Sequence, residues 1–349
     1  MLILSDKLQV FASVGFIYSL AAIGLSAHLL MDKPIGEQSM IDGSLQSLYE
    51  AGFTHANPLN DTAISAMAAM KYAAFGQAHK GAIVGKDGWL FTSEEFEVDP
   101  NFYENMSNSA TEIARVRALM KRKGVKLIPV IIPDKADVHA DKLKTNRPVE
   151  AEMRHGHLLS LLASRNVPVL DAKNVLSSNS AWGQGFLKDD THWSPEGSRA
   201  VAEMVASHLA QFDIGLTQTS VTTVQGSPVN FNGDLLQFVP TGVLRETFGP
   251  AQNKISTYTT TVNTGSGLFG GTNIDVALVG TSFSAKAEWN FLGFLQDALG
   301  ADALNFATEG QGPFAPMHDF IASDTFQNTP PKLVVWEIPT RYTSLEMTR

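Results

Sequence analysis

The chain has 349 residues, 44% of them hydrophobic and 17% charged, and 26 basic against 35 acidic side chains give a formal charge of -9. It contains no cysteine, which excludes a disulfide framework, a thiolate metal centre and a cysteine nucleophile, so any chemistry must use oxygen or imidazole groups. The acidic balance gives no general electrostatic reason to bind nucleic acid.

Residues 10–27, VFASVGFIYSLAAIGLSA, carry no charge, and the apolar character resumes after His28. As a helix from Val10 to Met31 this stretch would span about 33 Å, enough for a bilayer core. It is longer than a secretory hydrophobic region and lacks a good small-residue cleavage site, so a retained single transmembrane helix is expected rather than a cleaved signal. No later window supplies another apolar run of this length, which places the rest of the chain on one side of a bacterial inner membrane, in the periplasm. The expected division is 1–31 as tip and anchor, 32–79 as connector and helical lead-in, and 80–349 as the main domain. In the lead-in, Ile64 to Gln77 reads as a packed helix whose methionines fill core or groove space.

GKDGWLF at 85–91 places a turn at Asp87 and Gly88 before a buried strand. Ser109 to Lys123 is a periodic helix with a basic end followed by Gly124, and VKLIPVII at 125–132 is a strand rich in branched residues. Glu150 to Ser164 returns to helix, with His155 and His157 on its surface, and VPVLDA follows as strand. An ordered loop from Trp182 leads into a helix through Leu209. Residues 211–265 change character and read as an excursion of short strands and loops. The alternating pattern resumes with IDVALVG at 274–280, a turn and helix through TSFSAK, and LVVWEIP at 333–339 as the last strand. These lengths predict an α/β fold with a parallel sheet and helical crossovers.

Two segments can carry chemistry. In KDDTHWSPEGSRAV, Asp190 and His192 stand two apart just before a helix capped by Ser194 with Pro195 at its first position. A carboxylate that fixes an imidazole is what a general base requires. Capping, a core histidine and a metal pair are the other readings of the same residues, and Asp190 with His192 supplies too few ligands for a metal site to be predicted. Some 90 positions later, Gly280, Thr281 and Ser282 follow a hydrophobic strand and precede a helix, where a hydroxyl can emerge at a sharp turn and backbone amides can face an oxyanion. Ser282 is the candidate nucleophile, and Ser284, deeper in the helix start, is its alternative. Turn formation and capping are the competing structural roles of both serines.

GKDGWLF, IPDKADVH at 132–139, DDTHWSPEG at 189–197, VGTSFS at 279–284 and VVWEIPTRY at 334–342 together resemble the alginate O-acetyltransferase family of the AlgJ and AlgX kind. The resemblance covers about residues 80–342 and implies an SGNH hydrolase-like three-layer α/β fold with altered sequence order, preceded here by a single transmembrane helix. It implies Ser282 as acyl-accepting nucleophile, His192 as base and Asp190 as its orienting acid. The implied activity is O-acetylation of an extracytoplasmic polysaccharide through a serine ester, with an acetyl esterase or a non-catalytic polysaccharide-binding scaffold as alternatives. No cofactor is implied. The implied partners are an exopolysaccharide such as alginate or acetylated cellulose and a membrane-bound O-acyltransferase that supplies acetyl groups. Gly280, Thr281 and Gly312 are weaker oxyanion candidates, and Trp193, Lys135 and Arg341 weaker substrate-binding ones. For Lys135 the competing role is stabilising a loop carboxylate, and for Trp193 it is core packing. Relatives often read WEIPER where this chain has WEIPTR, so Thr340 replaces an acid while Arg341 is kept. Glu337 is expected to serve a salt bridge or a strand edge.

Overall fold

The computed structural model describes residues 6–32, 42–177, 184–263 and 275–347, and of residues 6–13 only the backbone. The chain divides into two compact units, one of residues 1–76 with 239–249, the other of 77–238 with 250–349.

The first unit contains helices Asp6–Leu30, Ser44–Ala56 and Asn60–Phe75. The apolar amino-terminal segment is therefore helical, but among the described residues no helix is long and apolar enough to cross a membrane. This overturns the expected transmembrane helix and the single-pass inner-membrane placement built on it. The carboxyl end of the helix packs on protein instead: Ala27 and Met31 are buried, and His28 Nδ1 shares a hydrogen bond of 2.9 Å with the Tyr49 hydroxyl of the next helix. The methionine reading also fails in part. On Asn60–Phe75 only Ala68 and Ala69 are buried, while Met67 and Met70 are about half exposed.

The second unit is built on a five-stranded parallel sheet. A hairpin of β1 (Ala82–Val84) and β2 (Leu90–Thr92) precedes it, joined through Asp87 and Gly88, both with positive φ. The sheet uses β3 (Lys126–Ile132), β4 (Leu170–Asp171), β9 (Val276–Val279), β10 (Ala303–Asn305) and β11 (Leu333–Pro339), in the order β10-β9-β11-β3-β4. Between β4 and β9 lie two small antiparallel pairs, β5 (Ser220–Gln225) with β8 (Tyr258–Asn263) and β6 (Val229–Phe231) with β7 (Asn253–Ile255). The expected loop start at Trp182, the strand residue Ile274 and the end of the 211–265 excursion lie outside the described residues.

Alternation along the strands makes two cores, one on each face of the sheet. Ile128, Val130, Ile132, Val276, Leu278, Leu333 and Val335 meet helices Pro195–Leu209 and Phe291–Leu299. Leu127, Ile131, Ala277, Val279, Val334, Trp336 and Ile338 meet Phe102–Arg122, Val149–Ser164 and Phe314–Ala322. The result is helix, sheet and helix in three layers, the α/β architecture expected. Because β11 is central, every one of its seven positions is buried. The carboxyl ends of β9 and β11 then deliver loops to the site, as is general for open parallel sheets.

Candidate active site

Asp190 and His192 meet Ser282, 90 positions beyond His192, at one end of this sheet. His192 lies just before the helix Pro195–Leu209, whose start is fixed by Ser194 accepting the Gly197 N–H at 2.9 Å and by Pro195. Its ring rests between Trp289, stacked at 5.4 Å, and Phe283 at 4.8 Å. Nδ1 donates to Asp190 Oδ1 at 2.7 Å, because an ionised carboxylate can only accept, which leaves Nε2 to accept from the Ser282 hydroxyl at 2.7 Å.

Asp190 is itself over-determined. Its Oδ1 also accepts the His192 N–H at 2.8 Å, and Oδ2 accepts the Asp234 N–H at 2.8 Å. Burial alone would raise its pKa, but the His192 contacts and these backbone donors hold the carboxyl below the ordinary range, so it stays a carboxylate. Asp234 carries this arrangement outward, its Oδ1 accepting the Thr191 N–H and hydroxyl at 2.8 and 3.1 Å. Among the described residues Asp190, His192 and Asp234 could also gather round a metal ion, their ligand atoms lying within 4.8 Å of one another. A metal at His192 Nδ1 would have to displace the proton that binds Asp190.

Ser282 begins a short helix, Ser282–Ala285, capped by the Thr281 hydroxyl accepting the Phe283 N–H. It is half-buried and, with His192, opens onto a groove of about 330 Å³. Thr92, Glu94, Lys286, Glu309, Gly310, Arg341 and Tyr342 contribute to its walls. A larger cavity of about 840 Å³ is lined by Glu112, Arg115, His318 and residues 345–347, and neither His192 nor Ser282 reaches it. Chemistry rather than volume selects the smaller groove.

The remaining sequence candidates separate. Arg341 lines the groove; its guanidinium donates to Glu94 Oε2 at 3.1 Å and lies over the rings of Phe283 and Tyr342. Gly312 has a positive φ and does not line the groove, whereas Gly310 does. Trp193 is wholly buried against Phe283 and Phe291, so it is core and offers no sugar platform. Thr281 is also buried, and its N–H is spent on Glu337 Oε2 at 2.7 Å, which removes it as an oxyanion donor. Ser284 points to the same carboxylate at 3.1 Å, not to His192. The Ser282 N–H, as the first of its helix, has no acceptor within that helix.

Lys135 is buried and lies outside the groove. Its ammonium donates to three backbone carbonyls, Leu90 O at 2.6 Å, Lys188 O at 3.0 Å and Asp190 O at 2.9 Å, rather than to a loop carboxylate. Burial, only partly offset by Glu95 and the nearby aspartates, pushes its pKa down to about 8. Around it, Asp134 is clamped by Arg147 at 2.6 Å and Arg154 at 3.1 Å. Glu95 accepts the N–H groups of Lys135 and Ala136 at 3.0 and 2.8 Å, and burial first, then Asp134, pushes its pKa up to about 7. His155 is buried rather than on the surface, bonded to Thr340 Oγ1 at 3.0 Å and Asp171 at 2.9 Å. Glu337 is not at an edge, and among the described residues it has no ion pair within bonding distance; it lies on the central strand beneath the Ser282 turn.

A family model described as the SGNH hydrolase-like domain of acetyltransferase AlgX matches residues 82–340. The chain belongs to this family. Acetyl transfer is thus the chemistry of the family in which the triad geometry sits. The protein named "Probable alginate O-acetylase AlgJ" from Azotobacter vinelandii is 33% identical over 312 residues, which cover 87% of this chain and 80% of that one. Its namesake from Pseudomonas aeruginosa is 33% identical over 341 residues, covering 92% and 86%. The solved O-acetyltransferase domain of Pseudomonas putida AlgJ superposes with a TM-score of 0.69 at 32% identity, over 77% of this chain and 94% of that domain.

Proposed function

We propose that the protein is a serine-dependent O-acetyltransferase that moves acetyl groups onto hydroxyls of an extracytoplasmic polysaccharide. The observation that carries this reading is the unbroken line from the Asp190 carboxylate through both nitrogens of His192 to the Ser282 hydroxyl, ending in an open groove.

His192 Nε2 takes the Ser282 proton as Oγ bonds to the acetyl carbonyl carbon. When the bond from that carbon to the donor oxygen breaks, His192 returns the proton to the leaving group and acetyl-Ser282 remains. A sugar hydroxyl then repeats the sequence, giving its proton to His192 as it attacks the ester, and Ser282 regains that proton as it leaves. Asp190 keeps the proton on Nδ1 and stabilises the imidazolium formed in each half. The Ser282 N–H, which has no acceptor within its own helix, is the donor assigned to the oxyanion. The names of the relatives make alginate the first acceptor to try, with cellulose beside it, and a membrane-bound O-acyltransferase is the partner proposed as acetyl source. Water entering the same open groove would make the protein an esterase.

Incubation with an activated acetyl ester and oligosaccharides, with mass spectrometry of both protein and sugar, tests the reading. Acetylated sugar and a Ser282-dependent protein adduct are expected. Release of acetate without sugar acetylation would assign an esterase, and sugar acetylation by Ser282→Ala at the unchanged rate would end the proposal.

A further inference from the structure

The Ser282 turn is held from below by a buried acid. Glu337 shares a face of β11 with Leu333 and Val335, and β11 is flanked by β9 and β3, so its side chain is fully buried. Oε2 accepts the Thr281 N–H at 2.7 Å and the Ser284 hydroxyl at 3.1 Å, and the Thr281 hydroxyl lies 3.1 Å from both carboxylate oxygens. The residue before Ser282 and the residue two after it are thereby tied to one group. Gly280 permits the approach, since a Cβ there would lie 2.5 Å from Oε2 and 3.0 Å from both Glu337 Cβ and Ser284 Oγ. The charge acting on Glu337 is Arg341, from the turn that follows β11; the turn after β9 presents the Thr281 N–H and the Thr281 and Ser284 hydroxyls, and the β3 residue in register is Val130.

We propose that Glu337 is a positioning residue that holds the Thr281–Ser284 turn in its reactive shape only while its carboxylate is ionised. Ionised, it accepts from all three donors at once; protonated, one of its oxygens becomes a donor and a hydroxyl must reverse. Loss of the Glu337 proton is then a condition for Ser282 to react at its full rate. This rests on the reading of Ser282 as the nucleophile. Burial pushes the Glu337 pKa up to about 7 against the pull of its three donors and Arg341, which places the change within an ordinary working range.

The test follows acetylation of Ser282 by 4-nitrophenyl acetate, as nitrophenol burst and intact mass, in the full chain from about pH 5 to pH 9. In the wild type the burst rate should rise through an acid limb near pH 7 that belongs to Glu337. Glu337→Gln should lose that limb, with a rate at pH 8 lower by about tenfold, the loss expected for a hydrogen bond to a charged group. Ser284→Ala removes one donor from the ionised form, so the limb belonging to Glu337 should move to higher pH. A purely structural role would lower the folded fraction without removing or moving this limb. A limb that persists in Glu337→Gln, or an unmoved limb in Ser284→Ala, overturns the proposal. Acylation that persists in Ser282→Ala overturns the parent reading instead, so the two failures are distinct.

Discussion

Replacing Lys135 with Met should loosen the loop that carries Asp190. The ammonium ties its own segment to β2 through Leu90 O and to the loop before His192 through Lys188 O and Asp190 O, and methionine fills similar volume without a donor. Bonds from a charged donor contribute about 1.5–3 kcal/mol each, so three amount to roughly 5–9 kcal/mol. Against this stands the cost of burying the charge: a fall from 10.5 to about 8 corresponds to about 3 kcal/mol. One carbonyl is not orphaned, because Lys188 O keeps the Leu90 N–H at 2.8 Å. The expected loss is about 3 kcal/mol in urea unfolding at pH 7. Acetyl-ester turnover per folded molecule should also fall, since Asp190 then lacks a backbone tether beside its side-chain ones. Unfolding within about 0.5 kcal/mol of wild type together with full turnover would refute the reasoning and make Lys135 a bystander.

Asp190→Asn keeps the size but sets an amide NH₂ against either the His192 Nδ1–H or the Asp234 N–H, and a loss of about 10³–10⁴-fold in acylation rate with unchanged circular dichroism is expected. Between pH 4.5 and about 7 the folded chain keeps on Glu337 a proton that the unfolded chain has released, so this contribution to stability is whole below pH 4.5 and is lost as pH rises through 7. Relative to Glu337→Gln, wild type should therefore lose about 3 kcal/mol from pH 4.5 to above pH 7 in urea titrations, and a constant difference would exclude the buried acid as the cause. Gly280→Ala should cost about 1–3 kcal/mol and slow acylation, because Glu337 has no room to yield, and a wild-type melting point would show that it has.

What could be read along the chain is what short-range rules govern. The cap at Ser194 and Pro195 marked the helix beside His192, and the branched runs marked β3 and β11, the latter from Leu333 to Pro339 as observed. The strand order was not legible, and it decides the roles of the buried polar residues. Glu337 looked like an edge acid because nothing local says that β11 lies between β9 and β3. His155 looked superficial because its partners Asp171 and Thr340 arrive from other elements. Lys135 could be seen as a charge in a motif, but its three carbonyls come from β2 and the loop before His192. The apolar amino-terminal segment misled in another way: hydropathy counts residues, and it cannot register that Ala27 and Met31 are buried in the protein.

The Asp234 N–H on Asp190 Oδ2 connects the line of Asp190, His192 and Ser282 to the most irregular part of the sequence. Asp234 comes from the segment between β6 and β7, outside the five-stranded sheet, yet it both steadies the acid and forms part of the groove wall. The shape of the groove wall and the hold on the acid are therefore inherited together. A graft that exchanges this segment for a relative's will loosen the carboxylate beside His192 unless the residue at 234 still offers its amide to Asp190.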